Sequence, residues 1–383
     1  MKQILTALLV LSTMGCTAKK QIDASDAEIV TVDFNSTKTF MNSDIFSTIE
    51  IIPINDTINR INIDAEIIIY SKDFYIVNKN SDQSIARLDS AGNFINNIGH
   101  RGRGNKEYIS VKDIAISDDT VSVFSSDVQM EYLYSTDGKF IGSKETQHPF
   151  NRIRKINDFY WYYLGYDNMH SNSRLICTDK NGIIKKEFLD EKINILGTVE
   201  NANTLTLYND TMYVREYFNK NIYAINSNNT KIKYVFDFRK YAIPNDFYKQ
   251  ADVMSASDIL QSCDFAAINR FLENDSWIIA ECIIQYQYQN IDDIKLDIIY
   301  MVKNKKTNEW HTLKYRMTSV SKESAFVYSL KYLTDNSEIL FLIDTYDLIN
   351  DKTFDSNLVA NPEVLDSITE NDNPVILKCK LKN

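Results

Sequence analysis

Residues 114–124 read IAISDDTVSVF: an apolar run, two aspartates, then a second run in which apolar and polar residues alternate. Alternation of this kind marks strands with one buried face. An Asp-Asp pair between them suits the tight turn of a hairpin, because short polar side chains tolerate its strained backbone. The phrase recurs as IIIYSKDFYIV (67–77), IRKINDFYWYY (153–163), LTLYNDTMYV (205–214), NRFLENDSWII (269–279) and YLTDNSEILFL (332–342), which makes six copies. Behind each of the first five stands a second hairpin phrase. These are ARLDSAGNFINNIG (86–99), YLYSTDGKFIGS (132–143), LICTDKNGIIKKEF (175–188), YAINSNNTKIKYVF (223–236) and IIYMVKNKKTNEWHTLKY (298–315). Gly92, Gly138 and Gly182 fall in these second turns, where a positive φ is needed. Four antiparallel strands in a period of roughly 40–65 residues form the unit of a propeller blade.

The sixth copy is short. After YLTDNSEILFL the chain ends in NDNPVILKCKLKN (371–383), which supplies a third strand and no fourth. FSTIEIIPI (46–54), near the other end, is a strand with no blade of its own. It fits as the missing outer strand, and closing the ring this way removes an unpaired edge. The expected architecture is therefore all-β: a six-bladed β-propeller over 28–383, closed by an N-terminal strand, with excursions near 243–268 and 345–372. Two β-sandwiches, the competing arrangement, would need neither an orphan first strand nor a truncated last repeat.

The N-terminus reads MKQILTALLVLSTMGC, a lysine and then a short apolar run from Ile4 to Leu11. Residues 1–15 are expected to be a lipoprotein signal, with the Cys16 thiol acylated and 16–27 forming a polar tether. The expected location is the cell envelope, at the outer membrane, with the lipid as the sole membrane attachment of a monomeric ring. A net charge of −10 argues against a nucleic-acid footprint. Cys177, Cys263, Cys282 and Cys379 lack metal-ligand spacing, and their disulfide state cannot be read from it. No metal or other cofactor is expected.

The stretch Gly99-His-Arg-Gly-Arg-Gly-Asn-Lys-Glu-Tyr108 follows the first blade. As a dinucleotide loop it should open a helix, yet VKDIAIS (111–117) reads as strand. A tight crossover between blades explains its glycines better. With Asn373-Pro374 near the end, this stretch resembles the six-bladed β-propeller lipoproteins of Bacteroides-type bacteria, which are similar to NHL-type propellers. Here Asn105-Lys106 replaces the Pro-Gly of that family. The resemblance implies the fold and a partner-binding role, without an assigned activity.

In such a blade the first and third turns share one face, and every long connection lies on the other. His100, Arg101 and Arg103 on the crossover belong to this loop-rich face, as do Tyr166, Asp167 and His170 beyond the aromatic strand 158–163. These six are the candidate ligand-binding residues, whereas Tyr160 and Tyr162 alternate as core. No nucleophile elbow, zinc-protease motif or calcium loop occurs. The leading expectation is a binding protein for a glycan, peptide or envelope partner. The alternatives are a glycan-acting hydrolase or lyase at the channel mouth, using acids such as Asp167, Asp292 and Asp293, and an accessory subunit of an outer-membrane assembly.

Overall fold

The computed structural model describes residues 22–35, 45–79, 83–156, 158–166, 171, 173–189, 202–209, 211–226, 229–250, 253–290, 294–317, 329–350 and 356–382. Two strands precede the repeats, β1 (Glu28–Thr31) and β2 (Phe46–Pro53). Blade one is β3 (Glu66–Tyr70), β4 (Asp73–Val77), β5 (Ile85–Leu88) and β6 (Phe94–Asn97). Blade two is β7 (Asp113–Ser117), β8 (Thr120–Ser125), β9 (Met130–Ser135) and β10 (Phe140–Glu145). Blade three is β11 (Arg152–Ile156), β12 (Phe159–Tyr163), β13 (Leu175–Asp179) and β14 (Ile184–Phe188). Blade four is β15 (Leu205–Tyr208), β16 (Thr211–Arg215), β17 (Asn221–Ile225) and β18 (Thr230–Asp237). Blade five is β19 (Phe265–Glu273), β20 (Trp277–Gln285), β21 (Leu296–Asn304) and β22 (Glu309–Met317). Blade six is β23 (Ser329–Leu333), β24 (Glu338–Ile343) and β25 (Val375–Leu381), and β2 completes it on the outer edge.

The protein is a six-bladed β-propeller closed by an N-terminal strand. β2 lies antiparallel to β25, with Ile51 opposite Leu377 and Ile52 opposite Ile376. The first turns carry the strain expected of them. Ser71-Lys72 and Asp118-Asp119 all have positive φ, as do Gly92, Gly138 and Gly182 in the outer turns. Gly92 has a second constraint, since a Cβ there would stand 2.0 Å from the Pro53 carbonyl oxygen.

Apolar packing lies between blades, as twisted sheets stacked around an axis require. Six clusters fill the six interfaces; Tyr75, Val77, Val121 and Tyr134 join blades one and two, while Leu340, Ile376, Ile52 and Ile76 join six and one. Tyr160 and Tyr162 sit in the cluster between blades two and three. Tyr160 to Tyr163 are therefore core, whereas Phe159 at the start of the run is exposed. Cys177, Cys263, Cys282 and Cys379 are free thiols, three of them buried among these side chains.

One strand has no counterpart in the repeat reading. β1 adds to the outer edge of blade four, parallel to β18, with Glu28 opposite Tyr234 and Thr31 opposite Asp237. Upstream of it, Ile22 packs against the cluster between blades three and four, and Asp23 bridges to Lys231. The Glu28 carboxylate takes hydrogen bonds from Lys303 and from the Trp310 indole of blade five. β1 thus covers an edge that would otherwise be open.

Two helical excursions rise on the loop-rich face. One, between β18 and β19, contains the single-turn helix Phe247–Lys249 and α1 (Val253–Gln261). The other, between β24 and β25, contains α2 (Thr345–Asn350) and the turn Pro362–Asp366. Among the described residues no helix is long and apolar enough to cross a membrane.

Candidate functional site at the loop-rich mouth of the channel

The innermost strands β3, β7, β11, β15, β19 and β23 line the axis. At the loop-rich end these strands, together with the second strand of blade four, bring together charged side chains from all six blades. Glu66 opens β3, Asp113 opens β7 and Arg152 opens β11. Arg215 ends β16, Arg270 lies in β19 and Lys331 in β23. Glu66, Asp113, Arg152, Arg215 and Lys331 are all buried. A buried charge is stable only when paired and hydrogen-bonded, and much of this cluster obeys that rule.

Blades one to three hold the paired part. Glu66 is ion-paired with Lys79 at 2.8 Å and with Arg152 of blade three at 3.0 Å. Asp113 accepts from Arg154 at 2.6 Å and from the Ile153 amide at 3.1 Å. Burial pushes the Glu66 carboxyl pKa upward, but Lys79 and Arg152 outweigh it and hold the group well below the ordinary carboxylate range. Burial also lowers the Lys79 ammonium to about 8, against the opposing pull of Glu66.

A stability profile should report this pair. The folded chain binds the Glu66 proton more weakly than the unfolded chain does, so its contribution is fully present above about pH 4.5. It is lost progressively as pH falls below that value. Glu66→Gln should therefore flatten the acid limb of a plot of unfolding free energy against pH, measured by urea denaturation between pH 3 and pH 7. An unchanged acid limb would contradict the assignment.

The crossover 99–108 proves to be occupied by its own side chain. The Glu107 carboxylate accepts from the Gly104 amide at 2.7 Å and contacts His100 Nε2 at 2.8 Å. Those contacts, the Gly104 amide foremost, keep its pKa below the usual value. A Cβ on Gly102 would collide with the same carboxylate at 1.9 Å, and one on Gly99 with the Tyr134 ring at 2.5 Å. The glycines make room for Glu107 and Tyr134, and the loop fills its own anion nest. Tyr134 donates to the Lys106 carbonyl and meets Tyr108 edge-on.

The six residues singled out in sequence do not form one cluster. His100, Arg101 and Arg103 are exposed on the crossover, and Arg101 Nε donates to the Ile109 carbonyl at 3.2 Å. Tyr166 lies beneath the 243–261 excursion, packed with Phe247 and Ala256, and its ring faces Arg174 at 5.1 Å. Its hydroxyl is buried with no hydrogen-bond partner among the described residues. Asp167 and His170, like Asp292 and Asp293, lie outside the described residues.

Sequence reasoning missed the axial charges, which stand singly and far apart in the chain. The signal was present in part, because aligning the repeats puts Glu66, Asp113 and Arg152 at one position of their blades. The Glu66 and Asp113 carboxylates serve as ion-pair partners. Among the described residues no group of three His, Cys, Asp or Glu could hold a metal.

Among the described residues, two cavities lie away from this centre. One, of about 480 Å³, lies on the loop-rich side of blade four between Tyr217–Asn221, Phe238 and Tyr248. The other, of about 190 Å³, lies at the turn face between blades three and four and is lined by Ile156, Phe159, Trp161, Leu207 and Met212.

A family model, DUF4934, a domain of unknown function, matches residues 21–380. The chain belongs to the DUF4934 family. Among solved structures, this DUF4934 protein is similar to a Bacteroides fragilis protein named "Putative exported protein". The two are 16% identical with a TM-score of 0.72, and the match covers 93% of this chain and 100% of that one. It is also similar to a DUF4221 member from Bacteroides vulgatus, at 10% identity and a TM-score of 0.51, over 88% of this chain and 99% of that one. At such identities the likeness shows the fold alone. No curated protein matches the chain.

Proposed function

We propose that this DUF4934 protein is an exported, lipid-anchored binding protein that holds a glycan, a peptide or an envelope partner on its loop-rich face. The direction of β1 carries the reading. β18 starts at the turn face with Thr230 and ends at the loop-rich face with Asp237, and β1 runs parallel to it. The chain therefore enters the propeller at the turn-face end, where Ile22 packs and Asp23 bridges to Lys231. Cys16 stands six residues before Ile22, within about 20 Å at full extension. An acylated Cys16 would hold the turn face toward the bilayer and present the loops, the excursions and the channel mouth away from it. Exposed Phe159, Leu207 and Ile184 beside the entry point give the anchored end an apolar surface.

Two measurements test this. Cys16→Ser should move the protein from the membrane to the soluble fraction. On glycan and peptide arrays, substitutions at exposed loop-face positions, Met254→Arg and Tyr346→Arg, should abolish binding, whereas Leu207→Arg on the turn face should leave it intact. Membrane retention of the Cys16 variant, or loss of binding only with Leu207→Arg, would overturn the reading.

A further inference from the structure

The two halves of the axial cluster differ in charge. Blades one to three set Glu66 and Asp113 against Lys79, Arg152 and Arg154. Blades four to six set Glu281 against Arg215, Arg270 and Lys331, and Lys331 also feels the Asp64 and Glu66 carboxylates of the blade-one side, so cations remain in excess there. Strand irregularities produce the second arrangement. Register slips in β19 between Ile268 and Arg270, and in β23 between Leu330 and Tyr332, so each inner strand carries one extra residue. Bulges re-aim side chains beside functional sites, and the extra residues here are Asn269 and Lys331.

Lys331 is 4% exposed, and its ammonium donates to the Ile63 carbonyl at 2.8 Å across the seam to blade one. Arg270 donates to the Leu330 carbonyl, and its Nε stands 3.5 Å from Glu281 without a hydrogen-bond partner among the described residues. Arg215 donates to Thr204 Oγ1 at 2.9 Å and to the Ile268 carbonyl at 3.3 Å. Glu281 already accepts from Asn269 and lies 3.4 Å from the Leu330 amide. The cations also sense one another. After burial, Arg270 is the largest influence lowering the Lys331 pKa, and it acts in the same direction on Arg215. Like charges gathered away from water are costly unless an opposite charge joins them.

We propose that the blade four to six side of the channel mouth is an oxyanion site, in which Lys331 and Arg270, with Arg215 below, receive a carboxylate, sulfate or phosphate group of the ligand. Arg270, whose side chain is 13% exposed, is the edge that the anion reaches first. Planar guanidinium forks match such oxygens, and charge-assisted hydrogen bonds are about twice as strong as neutral ones. This deepens the binding reading above and rests on it, because the mouth opens on the loop-rich face.

The test uses the purified full chain in detergent, with glucuronate, inorganic sulfate, inorganic phosphate and neutral glucose as probes. Calorimetry should show binding of at least one oxyanion and none of glucose, weakening as sodium chloride rises. The oxyanion that binds identifies the source of the group. Lys331→Met should lower that affinity by about tenfold or more, while Lys139→Ala, at an exposed position of the turn face, should leave it unchanged. Thermal melts at constant ionic strength give a readout that does not depend on the variant's folding, since the bound oxyanion should raise the melting temperature of the unmodified chain. No binding of any of the three anions, or a folded Lys331→Met with unchanged affinity, overturns the oxyanion site. If array ligands still bind through the loop-rich face in that case, the broader reading survives. If the anion binds but turn-face changes abolish array binding, the broader reading fails and the anion site stands.

Discussion

A chain beginning at residue 55 should fail to fold cooperatively. β2 is the outer strand of a blade whose other three strands come from the opposite end of the sequence. Its removal strips Phe46, Ile49 and Ile51 from the core between blades five and six, and Ile52 and Ile54 from the core between six and one. Five fully buried side chains of this size are worth together about 8–15 kcal/mol, comparable with the whole stability of an ordinary domain, about 5–15 kcal/mol. The latch is lost as well. Asn361 brackets β2 by accepting from the Ile51 amide at 3.0 Å and donating to the Ile51 carbonyl at 2.8 Å. Asn373 does the same for the next connection, accepting from the Ile61 amide and donating to the Asp56 and Asn59 carbonyls. Removing residues 1–32 instead takes away β1 with the Ile22, Asp23 and Val32 contacts and leaves the ring closed, so that shorter deletion should still melt cooperatively, at a lower temperature. A synthetic peptide spanning 45–55, added in trans, should restore structure to the longer deletion by strand addition. Circular dichroism melts read all three cases. A cooperative transition near that of the full chain for the 55–383 fragment would refute the closure argument.

The ring was legible because its repeat is written in turn chemistry. Ser71-Lys72, Asp118-Asp119 and the three outer-turn glycines sit at fixed offsets and impose hairpins wherever they fall. Closure followed from an unpaired first strand and a three-stranded last copy. β1 escaped the same reading. Glu-Ile-Val-Thr is four residues long, belongs to no repeat, and pairs in parallel with a strand some two hundred positions away. Nothing local encodes such a pairing. The axial charges escaped for a related reason. Arg215 and Arg270 are ordinary residues in their own neighbourhoods, and the bulge that turns Lys331 inward is a property of pairing register. The crossover 99–108 was read correctly as backbone geometry, yet the purpose of its glycines, to admit the Glu107 carboxylate and the Tyr134 ring, depends on contacts that spacing does not show.

Glu216→Gln should be among the most damaging single substitutions in the chain. Glu216 receives Arg174 in a fork, 2.7 Å from Nε to one oxygen and 3.0 Å from an Nη to the other. The Tyr163 hydroxyl and the Asn219 amide complete its shell at 3.0 and 3.1 Å. The Glu216 side chain is wholly buried and that of Arg174 is 5% exposed, so water cannot replace a missing partner. The glutamine keeps the shape and abolishes the charge, leaving a buried guanidinium with its strongest partner gone. Breaking a buried pair on one side costs about 3–5 kcal/mol. Arg174→Met should cost a similar amount, and the double variant much less than the sum, because the second change removes the charge that the first left exposed. Urea denaturation of the four proteins gives the coupling directly; additive effects, or a Glu216→Gln cost below about 1 kcal/mol, would show that the fork does not act as a pair. The consequence extends to the loop-rich face. Arg174 belongs to blade three and Glu216 to blade four, and the Tyr166 ring lies over the guanidinium beneath the 243–261 excursion. Loosening the pair removes the support under that excursion, so ligand capture should weaken in Glu216→Gln even at temperatures where the ring itself remains folded.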